Sequence, residues 1–218
     1  MSMITLRTRG LVRSMCLGLL AVVAGCSSSG EKAVSRSEQT VESIADFRNQ
    51  VANASKQLDK TMASLDGVMN ASGDRKKAFE TYMKEVANLK EEGDEAKQRS
   101  DDLRERSKEY VAKWQQDVST VSDPALKAQA DARRAQIQDR IGAIQADARA
   151  AGDAYRPLMK ELTDIQTVLA NDLTAANVQG VAPVAAKAHQ HAAELRKSLD
   201  AFVAELDSLG GAIGPKGA

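Results

Sequence analysis

The sequence predicts an all-α fold, an elongated antiparallel helical bundle of about four coiled-coil-like helices, preceded by a signal peptide and a flexible tether. The first observation is compositional, since aromatic residues make up 3% of the chain and charged residues 28%, a bias typical of long helices and coiled coils. The second is that apolar residues recur at alternating steps of three and four, which places them on one helix face. Four such stripes, separated by short breaks, favour an up-down bundle.

The amino terminus has the pattern of an export signal. Arg7, Arg9 and Arg13 form a basic flank, and an apolar segment of about ten residues follows, from Met15 to Ala24. This segment is too short to span a bilayer, which takes about 20 residues of helix. We therefore expect residues 1–25 to contain an export signal that is removed, and no lasting membrane span.

The residues around the cleavage point, VAGC at positions 23–26, resemble the lipobox of bacterial lipoproteins. The resemblance implies a diacylglyceryl group on the Cys26 sulfur, cleavage before Cys26, and acylation of the new amino group, for example with palmitate. Several acyl chains anchor firmly, because each buried CH₂ contributes about 0.8 kcal/mol. The alternative is an ordinary secretory signal with an incidental cysteine.

The residue after the predicted anchor bears on its destination. Ser27, not aspartate, follows Cys26, and by resemblance to Gram-negative sorting rules this favours the periplasmic face of the outer membrane. In a host with one membrane, the anchor would lie on the outer face of the plasma membrane.

Charge and cysteine content limit the partners. The chain has 30 basic and 30 acidic residues, and loss of residues 1–25 removes three arginines and no acid, so the mature chain is slightly acidic. Nucleic-acid binding needs a basic stripe on the protein surface, so we expect no nucleic-acid partner. Cys16 leaves with the signal and Cys26 becomes lipidated, so packing alone must stabilise the protein.

The first stripe opens the predicted bundle domain, residues 38–213. Residues 26–37 comprise the lipidated cysteine and a small, polar segment without a period, which we expect to be a flexible tether. Arg48 falls on the stripe, where it either carries its charge outward past an apolar stem or marks a register change. The apolar positions are Val41, Ile44, Val51, Leu58, Met62, Leu65 and Met69.

The second stripe has small seam residues between Gly93 and Ser100, which would let a neighbouring helix approach closely. Tyr110 and Trp114 fall on the same seam, where they either pack in the core or contact a partner. Asp123-Pro124 suits an N-cap followed by the first helical position and so predicts the next boundary. The full register is Tyr82, Val86, Leu89, Gly93, Ala96, Ser100, Leu103, Ser107, Tyr110 and Trp114.

The third stripe runs from Ile137 to Leu169 without a slip, although Pro157 lies inside it. A proline in a helix interior costs about 3 kcal/mol. The shared phase nevertheless predicts one helix over about residues 125–171, kinked near Gly152 to Pro157. Two separate helices in register are the alternative.

The last predicted elements are a loop from Thr174 to Pro183 and a final helix from about Val184. Gly210-Gly211 is expected to end this helix, and residues 214–218 to form a frayed tail. Helices of about 45 residues would be about 70 Å long, so a rod is expected. The last stripe consists of Ala188, Ala192, Leu195, Leu199, Phe202, Leu206 and Leu209.

No residue pattern predicts catalysis. His189 and His191 are the only histidines, and two residues apart they point about 200° from each other on a helix, so they cannot hold a metal from one face. We expect both to be surface residues. The acids lie among bases on solvated faces, and no nucleophile motif or phosphate loop occurs. We expect no catalytic residues, cofactor, metal site or small-molecule substrate, and no enzyme activity.

Three stretches carry a family resemblance: VAKWQQDV, YRPLMKELTDIQTVLANDLTAANV and LRKSLDAFVAELDSL. With them the chain is similar to a bacterial family of coiled-coil lipoproteins catalogued only as a domain of unknown function. The resemblance covers about residues 38–213. It implies an exported helical protein and supplies no activity and no catalytic residues.

The expected function is that of a lipid-anchored structural or protein-interaction module of the cell envelope, namely a spacer, scaffold or adaptor. Its expected partners are the membrane, through Cys26, and a protein or a second copy of the chain, through the helices. The alternative is a lipid- or membrane-surface binder whose amphipathic helices open and lay their apolar stripes on lipid. The mixed charges lack the basic bias that anionic lipids attract.

Overall fold

The computed structural model describes residues 27–213, and its elements are all helices, which confirms the all-α prediction. The four long helices form a closed ring in which α1 and α3 each pack against both α2 and α5. At 45 and 48 residues, α2 and α3 are about 70 Å long, so the bundle is elongated. The elements are α1 (Ser27–Met69), α2 (Arg75–Ser119), α3 (Pro124–Asn171), α4 (Ala175–Gly180) and α5 (Ala182–Ile213).

A continuous hydrophobic core runs along the bundle, and the predicted stripes supply it. Leu65, Leu158, Leu162 and Leu206 are fully buried. Burial of each such side chain is worth about 1.5–3 kcal/mol, so the packing of the stripes holds the helices together. The buried positions of α3 are Ile137, Ile144, Ala151, Leu158, Leu162, Ile165 and Leu169.

α1 begins earlier than the sequence predicts. Its first described residue is Ser27, so the backbone of the segment expected to be a flexible tether is helical from residue 27 to residue 37. Extending an existing helix needs no new nucleus, and residues 31–37 contain no proline or glycine to stop it. The first buried residue among the described side chains is Ile44. The role of the segment as a link to lipid stays a prediction.

α3 is one helix from Pro124 to Asn171 and contains Pro157. The prediction of a single helix is therefore confirmed over the alternative of two. Pro157 has no N–H for the carbonyl group of Asp153, but Leu158 and Leu162 beside it are fully buried. Their packing offsets the lost hydrogen bond.

The predicted loop from Thr174 to Pro183 is wrong in part, because it contains α4 and the start of α5. The Thr174 side chain accepts a hydrogen bond from the Asn177 N–H and caps α4, while Val178 is buried. Pro183 fits the first turn of α5, where no backbone donor is needed.

The predicted end of α5 at Gly210-Gly211 is also wrong, since the helix continues to Ile213. Gly210 is half-buried against α1: a Cβ there would lie 3.7 Å from Ile44 Cγ2. This contact with α1 holds the last turn in place. The predicted tail, residues 214–218, lies outside the described residues.

Candidate functional site

The two ends of the bundle differ in construction. At one end, Val178 and Val181 are buried, and Arg75 donates to the carbonyl oxygen of Leu173 at 3.1 Å. At the other end, the described part of α5 ends at Ile213, while α1, α2 and α3 extend further. We call this second end the open end. It comprises residues 27–41 of α1, 106–119 of α2, the turn at 120–123 and residues 124–136 of α3.

Two arginines of α3 donate hydrogen bonds to the last turns of α5. Arg133 donates to the carbonyl oxygen of Ala212, and Arg140 donates to the hydroxyl oxygen of Ser208. Basic side chains near a helix C-terminus satisfy carbonyl groups that lack helical partners. Because α3 begins at Pro124, it extends about 13 Å beyond the end of α5 at 1.5 Å per residue.

Apolar side chains gather at the open end. The rings of Tyr110 and Trp114 meet edge to face, with centroids 5.7 Å apart, and both are half-buried against the core. Their predicted place on the seam is confirmed. Val118 is buried, whereas Leu126 in the first turn of α3 is 59% exposed. The open end is therefore the place where the core meets solvent.

A groove of about 730 Å³ lies between α1 and α2 at the open end. Its lining combines charged, amide and hydroxyl side chains with the Tyr110 ring and Ala112, so the groove presents both hydrogen-bonding and apolar surface. The lining residues are Gln39, Thr40, Arg106, Glu109, Tyr110, Ala112, Lys113 and Gln116.

A smaller cavity of about 180 Å³ lies among the four long helices. Apolar Phe47, Leu103 and Ile144 line it together with Ser100 and Ser107. The small seam residues of α2 leave this space unfilled. Its volume is below the 300–1,000 Å³ typical of ligand sites, so we interpret it as a packing gap.

Polar contacts at the α1–α2 seam centre on Glu85. The buried Gln57 amide donates to the Glu85 carboxylate at 2.7 Å and to the Glu85 carbonyl oxygen at 3.2 Å. The hydrogen bond from Gln57 is the largest cause that holds the pKa of Glu85 below its ordinary value, with a smaller contribution from Asn88. These contacts fix how α1 and α2 align.

The two histidines lie on different sides of α5, as predicted. His189 is exposed and lies 2.9 Å from the Asp66 carboxylate on α1. His191 is half-buried and lies 2.8 Å from the Glu161 carboxylate on α3. Within residues 27–213, no group of three or more His, Cys, Asp or Glu side chains is placed to hold a metal ion.

Arg48 carries its charge outward, as the first of the two interpretations proposed. Its Nε atom lies 2.5 Å from an Asp207 carboxylate oxygen on α5, with 41% of the Arg48 side chain exposed. Phe47 and Val51 beside it are buried, so the register of α1 does not change there.

The pair formed by Arg48 and Asp207 is the first of three contacts between an aspartate and an arginine or histidine along the α1–α5 interface that were not predicted. The partners step along the two antiparallel helices together, by about three turns and then by about two. Opposite charges at matching steps in residues 48–66 and 189–207 are the signal that could have revealed them. The other two pairs are Asp59–Arg196 and Asp66–His189.

The predicted lipidation site, Cys26, and the predicted signal, residues 1–25, lie outside the described residues. Among the helices that are described, none has a stretch both long and apolar enough to cross a membrane.

Comparison with known protein families places the chain. A family model described as "Protein of unknown function (DUF2959)" matches residues 28–209. The chain belongs to this family. The match spans the described bundle apart from the first residue of α1 and the last turn of α5, so the open end is part of the family's unit. Searches of curated proteins and of solved structures return no match.

Proposed function

We propose that the protein is a lipid-anchored helical module of the cell envelope that acts as a spacer, scaffold or adaptor without catalysis. The observation that carries the proposal is that the chain is already helical at Ser27, the residue directly after Cys26. An anchor at Cys26 would hold one end of a rod about 70 Å long at the membrane. Such a rod can set a distance or present a partner away from the lipid.

The anchor is proposed from the basic flank, the short apolar segment and the lipobox-like VAGC at positions 23–26. With Ser27 after the cysteine, the periplasmic face of the outer membrane is the proposed location in a Gram-negative host. In a host with one membrane it is the outer face of the plasma membrane.

The surface of the bundle supports recognition of proteins through charge. Among the described side chains, only Leu126 and Val168 are large, apolar and exposed, so little apolar surface is left for a partner. The exposed face of α2 carries alternating acids and bases, with ion pairs such as Lys97–Asp101 at 2.8 Å. A partner or a second copy of the chain would dock on this mixed-charge face.

The anchor is tested by Cys26→Ala, with Cys16→Ala in the signal as the matched control. We expect Cys26→Ala to abolish acylation at position 26 and processing before it, while Cys16→Ala leaves both unchanged. Mass spectrometry of the mature protein should find acyl chains on Cys26. Normal processing of Cys26→Ala, or a mature chain without lipid, would overturn the proposal.

The partner is tested by photo-crosslinking in cells from exposed α2 positions such as Glu91, Gln98 and Arg99. Reproducible crosslinks to one envelope protein, or to a second copy of the chain, would support an interaction module. Crosslinks absent from all three positions and from the open end would leave a pure spacer as the function.

A second candidate is a lipid-surface binder that opens. The contact between α2 and α3 is the smallest among the four neighbouring pairs of long helices. Opening along this seam would expose the least core. Hydrogen exchange of the full chain in vesicles, compared with detergent, tests this, since unchanged protection over residues 93–107 would rule it out.

A further inference from the structure

We infer that the tip of the open end contacts the surface of the membrane that holds the anchor. The tip comprises the α2–α3 turn at residues 120–123 and the first turn of α3 with Leu126. The occupant of this surface is the lipid headgroup layer, with the Leu126 side chain at its boundary with the acyl chains. This inference rests on the proposed lipid anchor and deepens it.

Leu126 is held outward by the local backbone. Pro124 opens α3, and the Asp123 carboxylate accepts hydrogen bonds from the Ala125 and Leu126 N–H groups at 2.8 and 2.9 Å. These contacts fix the backbone of the first turn of α3, on which the Leu126 side chain is exposed to solvent. At 59% exposed, it is the most exposed large apolar side chain among those described.

A single exposed leucine is ordinary on a protein surface, and its position is what matters here. Arg106 of α2 donates to the Ser43 hydroxyl oxygen of α1 at 3.2 Å, so these residues are level. Both helices rise by about 1.5 Å per residue. α1 therefore reaches Ser27 at the height where α2 has ended and the turn at 120–123 lies.

The distance from Ser27 to the lipid is short. Cys26 is the preceding residue, and one residue spans at most about 3.6 Å. A lipid on Cys26 thus sets the bilayer surface at the height of the tip. The headgroup region of one leaflet is about 5–8 Å deep, enough to receive the turn and Leu126.

Trp114 and Tyr110 fit the same geometry. Trp114 lies about 8 Å from the end of α2 at Ser119, at the outer edge of the headgroup region. Tryptophan and tyrosine prefer this level of a membrane, because their rings are apolar and their tips polar. Their half-buried rings would pack between the core and the lipid surface.

Charge at the tip is balanced, which defines the kind of lipid surface. Around the turn, the sequence has two basic residues, Lys113 and Lys127, and two acidic residues, Asp117 and Asp123. The contact is therefore apolar in origin, and zwitterionic phosphatidylcholine should suffice for it. Added salt should change it little, because no net charge is being screened.

The experiment uses Trp114, the only tryptophan in the chain. The full lipidated protein is reconstituted into phosphatidylcholine vesicles that contain lipids with a nitroxide on the headgroup, a short-range quencher. We expect strong quenching of Trp114 emission. A second variant, Trp114→Phe with Val168→Trp, reports on the far end of α3 and should show none.

Two variants test whether Leu126 is responsible for the contact of the tip with the membrane. Leu126→Asp should reduce the quenching of Trp114, whereas Val168→Asp, at the other exposed apolar position of the same helix, should not. A flexible Gly-Ser segment of about ten residues, inserted between Ser29 and Gly30, should also reduce quenching while the protein still floats with vesicles.

The outcomes separate this inference from the proposed anchor. If the wild-type chain does not float with vesicles or membranes, the anchor itself fails. If it floats but Trp114 is quenched no more than the tryptophan at position 168, the anchor stands and the contact of the tip is refuted. Equal quenching in wild type, Leu126→Asp and Val168→Asp would also refute it.

Discussion

Gly93 of α2 lies directly under the ring of Tyr155 of α3. A Cβ atom at Gly93 would be 2.5 Å from the Tyr155 hydroxyl oxygen and 2.6 Å from its Cζ atom. Tyr155 in turn donates to the carbonyl oxygen of Leu89 at 3.4 Å, and burial raises its pKa to about 12. The glycine therefore makes room for the one large side chain that crosses the α2–α3 seam here.

Gly93→Ala should destabilise the bundle. The added methyl group forces the Tyr155 ring out of place, and such overpacking costs about 1–3 kcal/mol, more than the roughly 1 kcal/mol gained from better helix propensity. Gly142→Ala is the matched control, because a Cβ there meets nothing within 4 Å, and it should stabilise the protein by up to about 1 kcal/mol. Urea unfolding of both variants checks the pair, and equal shifts in the midpoint would contradict the role of Tyr155.

The ion pair of Arg48 with Asp207 should couple α1 to α5. Both side chains are about half exposed, so we expect a coupling of only about 0.2–1 kcal/mol in a double-mutant cycle with alanine at each position. The coupling should fall in high salt, because exposed charges are screened. The exchanged variant, Arg48→Asp with Asp207→Arg, should regain most of the stability that either reversal alone loses. No coupling and no recovery would show that this pair does not contribute to the alignment of α1 with α5.

Gln57→Leu should raise the pKa of Glu85 toward its ordinary value, because the Gln57 amide is the largest cause of its lowering. A lowered pKa in the folded state contributes stability that is present above the unfolded-state pKa and is lost as pH falls through the folded value. The variant should therefore lose stability less steeply than wild type as the pH falls below the pKa of an ordinary glutamate. NMR titration of the Glu85 carboxyl carbon measures the shift directly.

Gln50→Leu is the control for this prediction. Gln50 donates to Glu92 at 2.8 Å, one step further along the same α1–α2 seam. Its replacement should leave the titration of Glu85 unchanged. A change of equal size in both variants would assign the effect to a general loosening of the seam.

The long helices could be predicted from the sequence because each stripe repeats many times. From Ile137 to Leu169 the period persists through Pro157, so burial of residues such as Leu158 outweighed a local signal against helix. Gly93 was predicted as a place of close approach because a residue without a side chain stood on the seam. Which residue would fill that space, Tyr155, required the register between two helices.

The ends of the helices and the contacts between them could not be predicted. α4 is six residues long, too short to show a period, and its stability comes from the burial of Val178. The helical backbone of residues 27–37 depends on weak helix propagation through polar residues. Arg48 was flagged as unusual, but Asp207 lies on another helix, and only the folded register brings the two together. The tip with Leu126 becomes a candidate surface only because Ser27 of α1 lies level with it in the fold.

Tyr82→Phe should weaken the bundle most clearly at neutral pH and change its response to alkali. The Tyr82 hydroxyl donates to the carbonyl oxygen of Leu162 at 2.7 Å, and its side chain is fully buried, so loss of the bond should cost about 0.5–1.5 kcal/mol. Tyr155→Phe, which removes the longer bond of 3.4 Å to Leu89, is the control and should cost less. Urea unfolding at pH 7 measures both.

The expected stability of Tyr82→Phe at alkaline pH follows from burial, which raises the pKa of Tyr82 well above its ordinary value. A raised pKa in the folded state means that the unfolded chain loses this proton first, so stability falls as pH rises above about 10. Wild type should therefore lose stability across this range more steeply than Tyr82→Phe, and ultraviolet titration should show one tyrosine ionising only as the protein unfolds. If Tyr82→Phe and wild type respond alike, the Tyr82 hydroxyl group is not buried in the core. Ionisation of all three tyrosines in the folded state would lead to the same conclusion. In either case, the hydrogen bond of Tyr82 to α3 does not align α2 with α3.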